Sequence, residues 1–297
     1  MKKYLFTLVA SFIGFSSYSQ TPLGQDINQG EKLLEAYFTP MAESFGAGLN
    51  NGWYNTAKPH SLGGFDLTFT LNTVIIPNAA ESFKIGNEFG GVFTSTETEA
   101  SSIFGSSDVT PMTYTNSTTS TDVDFNMPGG FKTPALPLPM IQAGIGLIKN
   151  TAIDIRYMPM LNVGKSGDES IKVNLFGVGL KHDILQWIPV VGDAIPMSLS
   201  LQGGYTALNT KLKISGQEVS LNTKATTINL VASKRLLMLT GYAGIGYNSA
   251  TTNFSSNADF NLGGIKFDEN VEMKFESNKN VRANIGLRLN ITLVTIH

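Results

Sequence analysis

Polar and apolar residues alternate with a period of two through most of the chain beyond residue 62. Phe65, Leu67, Phe69 and Leu71 alternate with Asp66, Thr68, Thr70 and Asn72. The same rhythm sets Ile153, Ile155 and Tyr157 against Asp154 and Arg156, and Met197, Leu199 and Leu201 against Ser198, Ser200 and Gln202. Val271, Met273 and Phe275 alternate with Glu272, Lys274 and Glu276. The longest run keeps Val281, Ala283, Ile285, Leu287, Leu289, Ile291 and Leu293 on one face, with Arg282, Asn284, Gly286, Arg288, Asn290 and Thr292 on the other. A period of two with one apolar face is the mark of a β-strand. A strand of that length rises about 40 Å. That is long beside the roughly 5–6 residues of an ordinary strand, and it suits a tilted membrane strand, which needs about 9–11 residues in hydrocarbon.

The pattern predicts strands near 63–76, 83–94, 121–127, 140–148, 151–160, 170–181, 196–208, 210–221, 224–235, 237–250, 258–267, 270–276 and 281–294. Before them the period is 3.6. Residues 22–46 form a predicted helix with Ile27, Leu34, Phe38, Met41 and Phe45 on one stripe, widened by Leu33 and Tyr37. Asp26 is the expected N-cap, with Gln29 in the capping-box position. Glu31, Lys32, Glu35 and Glu43 face the other way, and Gly46 and Gly48 end the helix. Such a stripe needs a surface to pack on.

Three other stretches stand out. Met1-Lys2-Lys3, the apolar run Tyr4 to Phe15 and the small residues 16–19 have the build of a cleaved signal peptide, cut before Gln20. Residues 94–121 hold 16 Ser and Thr and read as a long, mobile polar loop. The apolar connector around Trp187 and Pro189 suits a membrane interface. The expected organisation is therefore a signal peptide over 1–19, a helix and plug-like segment over 20–61, and a barrel over 62–297. The fold class is all-β, an antiparallel transmembrane β-barrel of about 12–14 strands with a short N-terminal helix. Bacterial barrels have even strand numbers, so the 13 candidate strands point to one strand too many or too few. A secreted β-sandwich is the competing reading, since its strands alternate too.

Composition narrows the function more by exclusion than by pointing. With 21 Lys and Arg against 23 Asp and Glu there is no basic surface for nucleic acid. The absence of cysteine removes disulfides, thiolate metal sites and thiol nucleophiles. His60, His182 and His297 show no metal-ligand spacing, and no cofactor is expected. A lipid hydrolase would need His182 beside Ser198 or Ser200, but pairing alone does not activate a nucleophile, so no catalytic residue is assigned. The short motifs Gly144-Ile145-Gly146, Gly177-Val178-Gly179 and Gly244-Ile245-Gly246 lack the setting of a nucleotide loop. They suit the crowded inner wall of a barrel. Asp154, Arg156, Lys172, Glu272, Lys274, Glu276, Arg282 and Arg288 fall on polar faces and are the expected lumen lining. Arg282 and Arg288 share a face and are expected to pair with Asp154, Glu272 or Glu276.

The end of the signal at Ser19-Gln20, the segment Gly48-Leu49-Asn50-Asn51-Gly52-Trp53, the strand start Gly63-Gly64-Phe65-Asp66-Leu67 and Trp187-Ile188-Pro189 resemble an uncharacterised family of Gram-negative outer-membrane β-barrels. A helical segment ahead of a medium-sized barrel is also distantly similar to the long-chain fatty-acid transporter (FadL-like) superfamily. That resemblance implies a plug over residues 22–55 and a hydrophobic ligand route, here past Phe38, Met41 and Phe45. Outer-membrane barrels end on an aromatic residue, whereas this chain ends Thr295-Ile296-His297. The expectation is a degenerate signal or a further strand beyond the sequence. Two functions follow: passing or binding a small, partly hydrophobic molecule, or serving as a structural or partner-docking barrel for an outer-membrane machine. Both place the chain in the cell outer membrane, with lipid as its partner and a ligand or a second protein as the other.

Overall fold

The computed structural model describes residues 23–166, 169–188, 196–214, 217–262, 265–276, 280–291 and 294–296. The expected signal peptide, the Pro189 side of the Trp187 connector and His297 lie outside them. The chain opens with α1 (Leu23–Leu49). A first long strand, β1 (Phe65–Ile75), is followed by five short ones: β2 (Ser82–Lys84), β3 (Phe93–Thr94), β4 (Glu99–Ser101), β5 (Thr110–Thr115) and β6 (Asp122–Met127). Long strands then run to the end: β7 (Ala135–Leu147), β8 (Thr151–Ser166), β9 (Glu169–Asp183), β10 (Ser198–Ile214), β11 (Gln217–Leu236), β12 (Leu239–Leu262), β13 (Ile265–Glu276) and β14 (Asn280–Ile291), with a short β15 (Val294–Ile296).

The long strands and β15 form one antiparallel sheet in the order β1-β7-β8-β9-β10-β11-β12-β14-β15. It curls into a half-barrel. The 24 residues of β12 serve two partners: β14 along Leu239–Asn248 and β13 along Thr251–Leu262. Among the described residues ten strands make up this sheet, where a dozen or more were expected. The difference has three sources. The segments near 83–94 and 121–127 lie in two small separate sheets, β2-β4 and β3-β5-β6. The expected break near 209 is continuous strand, because β10 stays paired to β11 as far as Ile214. The breaks expected near 223 and 251–257 are likewise strand, in β11 and β12. At the β7–β8 hairpin the turn does fall where Lys149 and Asn150 sit, both with positive φ.

Helix α1 begins at Leu23, close to the expected start, so Asp26 lies within it and does not cap it, and it runs past Gly46 and Gly48 to Leu49. Gly48 lies within the helix against Leu138 of β7, where a Cβ would collide with that side chain, so close packing and not a helix stop accounts for the glycine. Pro40 has no N–H for the turn below, and Thr39 Oγ1 donates to Glu35 O at 2.7 Å there. The apolar stripe is spent on packing. Leu33, Leu34, Tyr37, Phe38 and Ala42 are buried, while Lys32, Glu35 and Glu43 are exposed.

Residues 76–134 fold over this helix as a cap. Ile103, Phe104, Met112, Tyr114 and Met127 share one core with Tyr37, Phe38, Leu221, Phe254 and Phe275. The Ser/Thr-rich stretch 94–121 is therefore a structured part of the cap, carrying β4 and β5. Its Ser102 is fully buried and donates to Ala80 O at 2.6 Å. Tyr37 ties the two layers: its hydroxyl donates to Gly129 O at 3.1 Å and its carbonyl accepts from Ile103 N at 3.2 Å. Burial raises the Tyr37 hydroxyl pKa well above its ordinary value, so it remains a neutral donor.

Candidate functional site: a threaded plug on a polar concave face

After α1 the chain runs across the concave face of the sheet before entering β1. A second apolar cluster joins Leu49 to Met140, Leu175, Leu208, Ala225 and Ala250. Below it the wall turns polar. Gln142, Asp154, Arg156, Lys181, Gln202, Thr206, Thr227 and Asn229 point inward and are buried. On the convex side, Phe65, Phe69, Ile155, Val178, Leu230, Ile245 and Ile285 are exposed. The sheet thus turns polar residues in and apolar residues out along its middle.

Arg156 is the main fastener. Its Nε donates to Gln142 Oε1 at 2.9 Å, and its two terminal nitrogens donate to Leu49 O at 2.9 Å and Asn51 O at 2.8 Å. Its guanidinium also stacks on the Trp53 ring, 3.7 Å from the centroid. Gln142 passes the contact on, donating to Asp154 Oδ1 at 3.2 Å. Trp53 is 1% exposed. It fits because the wall facing it lacks side chains: a Cβ at Gly204 would stand 2.5 Å from the indole, and one at Gly179 2.6 Å. Gly244 makes room for Tyr54 in the same way, and Gly146 for the backbone at His60 and Ser61. The repeated Gly-x-Gly motifs are the seat of the plug.

Further contacts hold the segment along its length. Asn72 donates to Gly48 O at 3.0 Å and Asn50 to Ser249 O at 3.2 Å. Tyr54 donates to Asn284 Oδ1 at 2.7 Å, and Arg288 to Asn55 Oδ1 at 2.8 Å. Arg282 donates to Asn51, Ser200 donates to Ala57 O, and Ser233 Oγ accepts from Ala57 N at 2.9 Å. At the far end His60 pairs with Asp66 at 2.8 Å.

The expected lumen set divides. Asp154, Arg156, Arg282 and Arg288 lie on the concave face. Lys172, Glu272, Lys274 and Glu276 are exposed on the opposite face. On β13 the inward positions belong to Met273 and Phe275, which pack into the cap core, so the outward carboxylates and Lys274 face away, with Lys274 bonding Glu276 at 2.6 Å. Arg282 and Arg288 accordingly bind the plug's asparagines in place of the expected acids. Phe38, Met41 and Phe45 are occupied by packing: Phe38 stacks with Phe254 at 5.3 Å, Met41 sits against the cap core, and Phe45 against the Leu49 cluster. His182 and the serines of β10 do not meet. His182 bonds Thr151 and Trp187, each at 2.8 Å, while the Ser200 hydroxyl goes to the plug.

The sequence reading of 20–61 as a helix and plug-like segment rests on the resemblance and on a Gly/Asn turn over 48–55, and names none of the contacts that residues 50–61 make. Their signal was present in the unusual density of Asn, Trp and Tyr ahead of a series of inward glycines. Fold and site together define a curled antiparallel sheet that carries its own N-terminal segment as a plug. The chain belongs to the family of unknown function DUF6588, whose model matches residues 1–297. No curated protein and no solved structure matches it.

Proposed function

We propose that the chain is an outer-membrane β-barrel sealed by its own N-terminal segment, and that it serves as a structural or docking platform for other outer-membrane components. The carrying observation is the inverted sheet: Phe65 and Ile285 are 81% and 88% exposed, while Arg156 and Gln202 are at most 1% exposed. In water that arrangement wastes apolar area, at about 25 cal/mol for each Å² left exposed. Against hydrocarbon it is the favoured one, with apolar side chains outward and polar ones in the lumen. The 12 residues of β14, at about 3.3 Å each and a tilt of about 40°, cross about 30 Å. That matches the apolar belt of about 25 Å around such barrels. Beyond the belt the convex face becomes charged, as at the Lys211–Glu218 pair of 2.8 Å.

Sealing is supported by the filled concave face. The apolar stripe of α1 that would line a ligand route is packed, and the cations that would tune a pore bond plug atoms. Fractionation and gel mobility test the membrane assignment: the chain is expected in the outer membrane and to migrate differently before and after boiling. Planar bilayers test the seal. Purified protein is expected to give no steady conductance, and proteoliposomes no uptake of a long-chain amphiphile. Recovery from the soluble fraction refutes the membrane reading, and a steady pore or measurable uptake refutes the sealed platform.

A further inference from the structure

We propose that the outermost long strands of the curled sheet, β1 and β14, pair with each other antiparallel along the part of β14 that β15 leaves open, with Asp66 opposite Arg288, and so close the sheet into an eight-stranded barrel around the plug. This rests on the membrane reading, because backbone N–H and C=O groups at a strand margin find no water in hydrocarbon and must be satisfied by another strand.

The direction is fixed by topology. From β1 through β7, β8, β9, β10, β11 and β12 to β14 every neighbouring pair is antiparallel, so the first and eighth strands run opposite ways. The register follows from the ladder. Directly opposed residues lead from Phe65 through Ile145, Ile153, Leu180, Gly203, Ile228 and Tyr247 to Val281. Closure must return to β14 displaced by an even number of residues, or one strand would turn its polar face outward. A displacement of six gives a strand tilt of about 27°, and one of eight about 35°, where barrels have about 35–45°. At eight only Phe65, the first residue of β1, comes opposite the span Leu289–Ile291 along which β15 lies, whereas at ten Phe65, Asp66 and Leu67 all do. Eight therefore reaches the usual tilt with the least overlap. It sets Asp66 against Arg288, Leu67 against Leu287 and Phe69 against Ile285.

Charge and tethering agree with it. Asp66 lies within electrostatic reach of Arg288. The plug binds both margins from within: Gly48 and His60 reach Asn72 and Asp66 of β1, and Asn51, Tyr54 and Asn55 reach Arg282, Asn284 and Arg288 of β14. A second copy would have to displace that shared tether to insert its own strand. The inward glycines supply the space. An eight-stranded barrel holds little more than its own side chains, and here part of that volume is given to the plug.

The chain has no cysteine, so a double variant reads the seam directly. Leu67→Cys with Leu287→Cys places two outward side chains in opposition without touching the plug. Mild oxidation of the membrane-embedded protein is expected to convert most of it to a disulfide-linked monomer. Phe69→Cys with Leu287→Cys, a diagonal pair about 7–8 Å apart, is expected to link several-fold more slowly. Disulfides between two chains, faster linking of the 69–287 pair, or no linking in protein that fractionates with the outer membrane and shifts on the gel would each overturn the seam. Loss of membrane fractionation and of the gel shift in the wild type would instead overturn the reading on which it rests.

Discussion

Trp53→Ala is the sharpest perturbation of the plug. The indole is buried, lies under the Arg156 guanidinium and abuts a wall from which Gly179 and Gly204 project nothing. Replacing a buried Trp by Ala costs about 3–5 kcal/mol, more where the site cannot collapse. A glycine wall in a paired sheet has no side chains to fall inward, so the upper end of that range applies, and it includes the lost cation–π contact. Trp53→Phe separates shape from polarity. The indole Nε1 is buried with no hydrogen-bond partner, so phenylalanine removes a buried donor at the expense of some contact area. It is expected to stay within about 1 kcal/mol of wild type. The assay is the temperature or urea midpoint of the folded gel form in detergent, read beside protease sensitivity of residues 50–61. Gly204→Val completes the argument. Alone it collides with the indole and destabilises; combined with Trp53→Ala it fills part of the void. The double variant is then more stable than the sum of the two by at least about 1 kcal/mol. A Trp53→Ala protein within about 1 kcal/mol of wild type, or strict additivity with Gly204→Val, refutes the glycine seat.

Arg156→Lys keeps the charge but loses the fork that spans Leu49 O, Asn51 O and Gln142. With buried acceptors left unbonded it is expected to destabilise by about 2–4 kcal/mol and to expose residues 50–61 to protease, both read as for Trp53. Tyr37→Phe removes the hydroxyl bond to Gly129 O and is expected to cost about 0.5–1.5 kcal/mol. Amide exchange should speed up in residues 102–131 of the cap while the midpoint of the long-stranded sheet hardly moves.

Strand content was legible because alternation survives in each long strand, and the helix was legible from its stripe. Two things were not. The cap's apolar residues, Ile103, Phe104, Met112 and Tyr114, are scattered among Ser and Thr without a period, so the stretch read as loop. Their order comes from a partner distant in sequence, the helix stripe around Tyr37 and Phe38. The plug segment was expected, but its contacts were hidden for a related reason. Asn50, Asn51 and Asn55 are turn residues by local preference, yet their side chains reach Ser249, Arg282 and Arg288. Contacts across some two hundred residues leave no local trace.

The expected lumen set divided for a more instructive reason. A period of two tells which residues share a face; it carries no information on which face is inside. In the middle of the sheet the covered face is polar, as at Asp154 and Arg156, and the open face is apolar. Toward the cap the sign reverses: on β13 Met273 and Phe275 are covered while Glu272, Lys274 and Glu276 are open. β12 carries both regimes on one parity. Its inward positions run from Thr240, Gly244 against Tyr54 and Asn248 through Ala250 of the Leu49 cluster to Phe254 in the cap core, and its outward positions from Ile245 and Tyr247 to Asn253. A single strand can alternate in both senses only if its surroundings change along its length. A uniform aqueous solvent favours one sense throughout, with apolar residues toward the core. On the proposed membrane reading, the reversal between Tyr247 and Asn253 marks the boundary between hydrocarbon and water, with the cap on the water side. Reading the sign would have required knowing where along each strand that boundary falls, and alternation within one strand does not contain it.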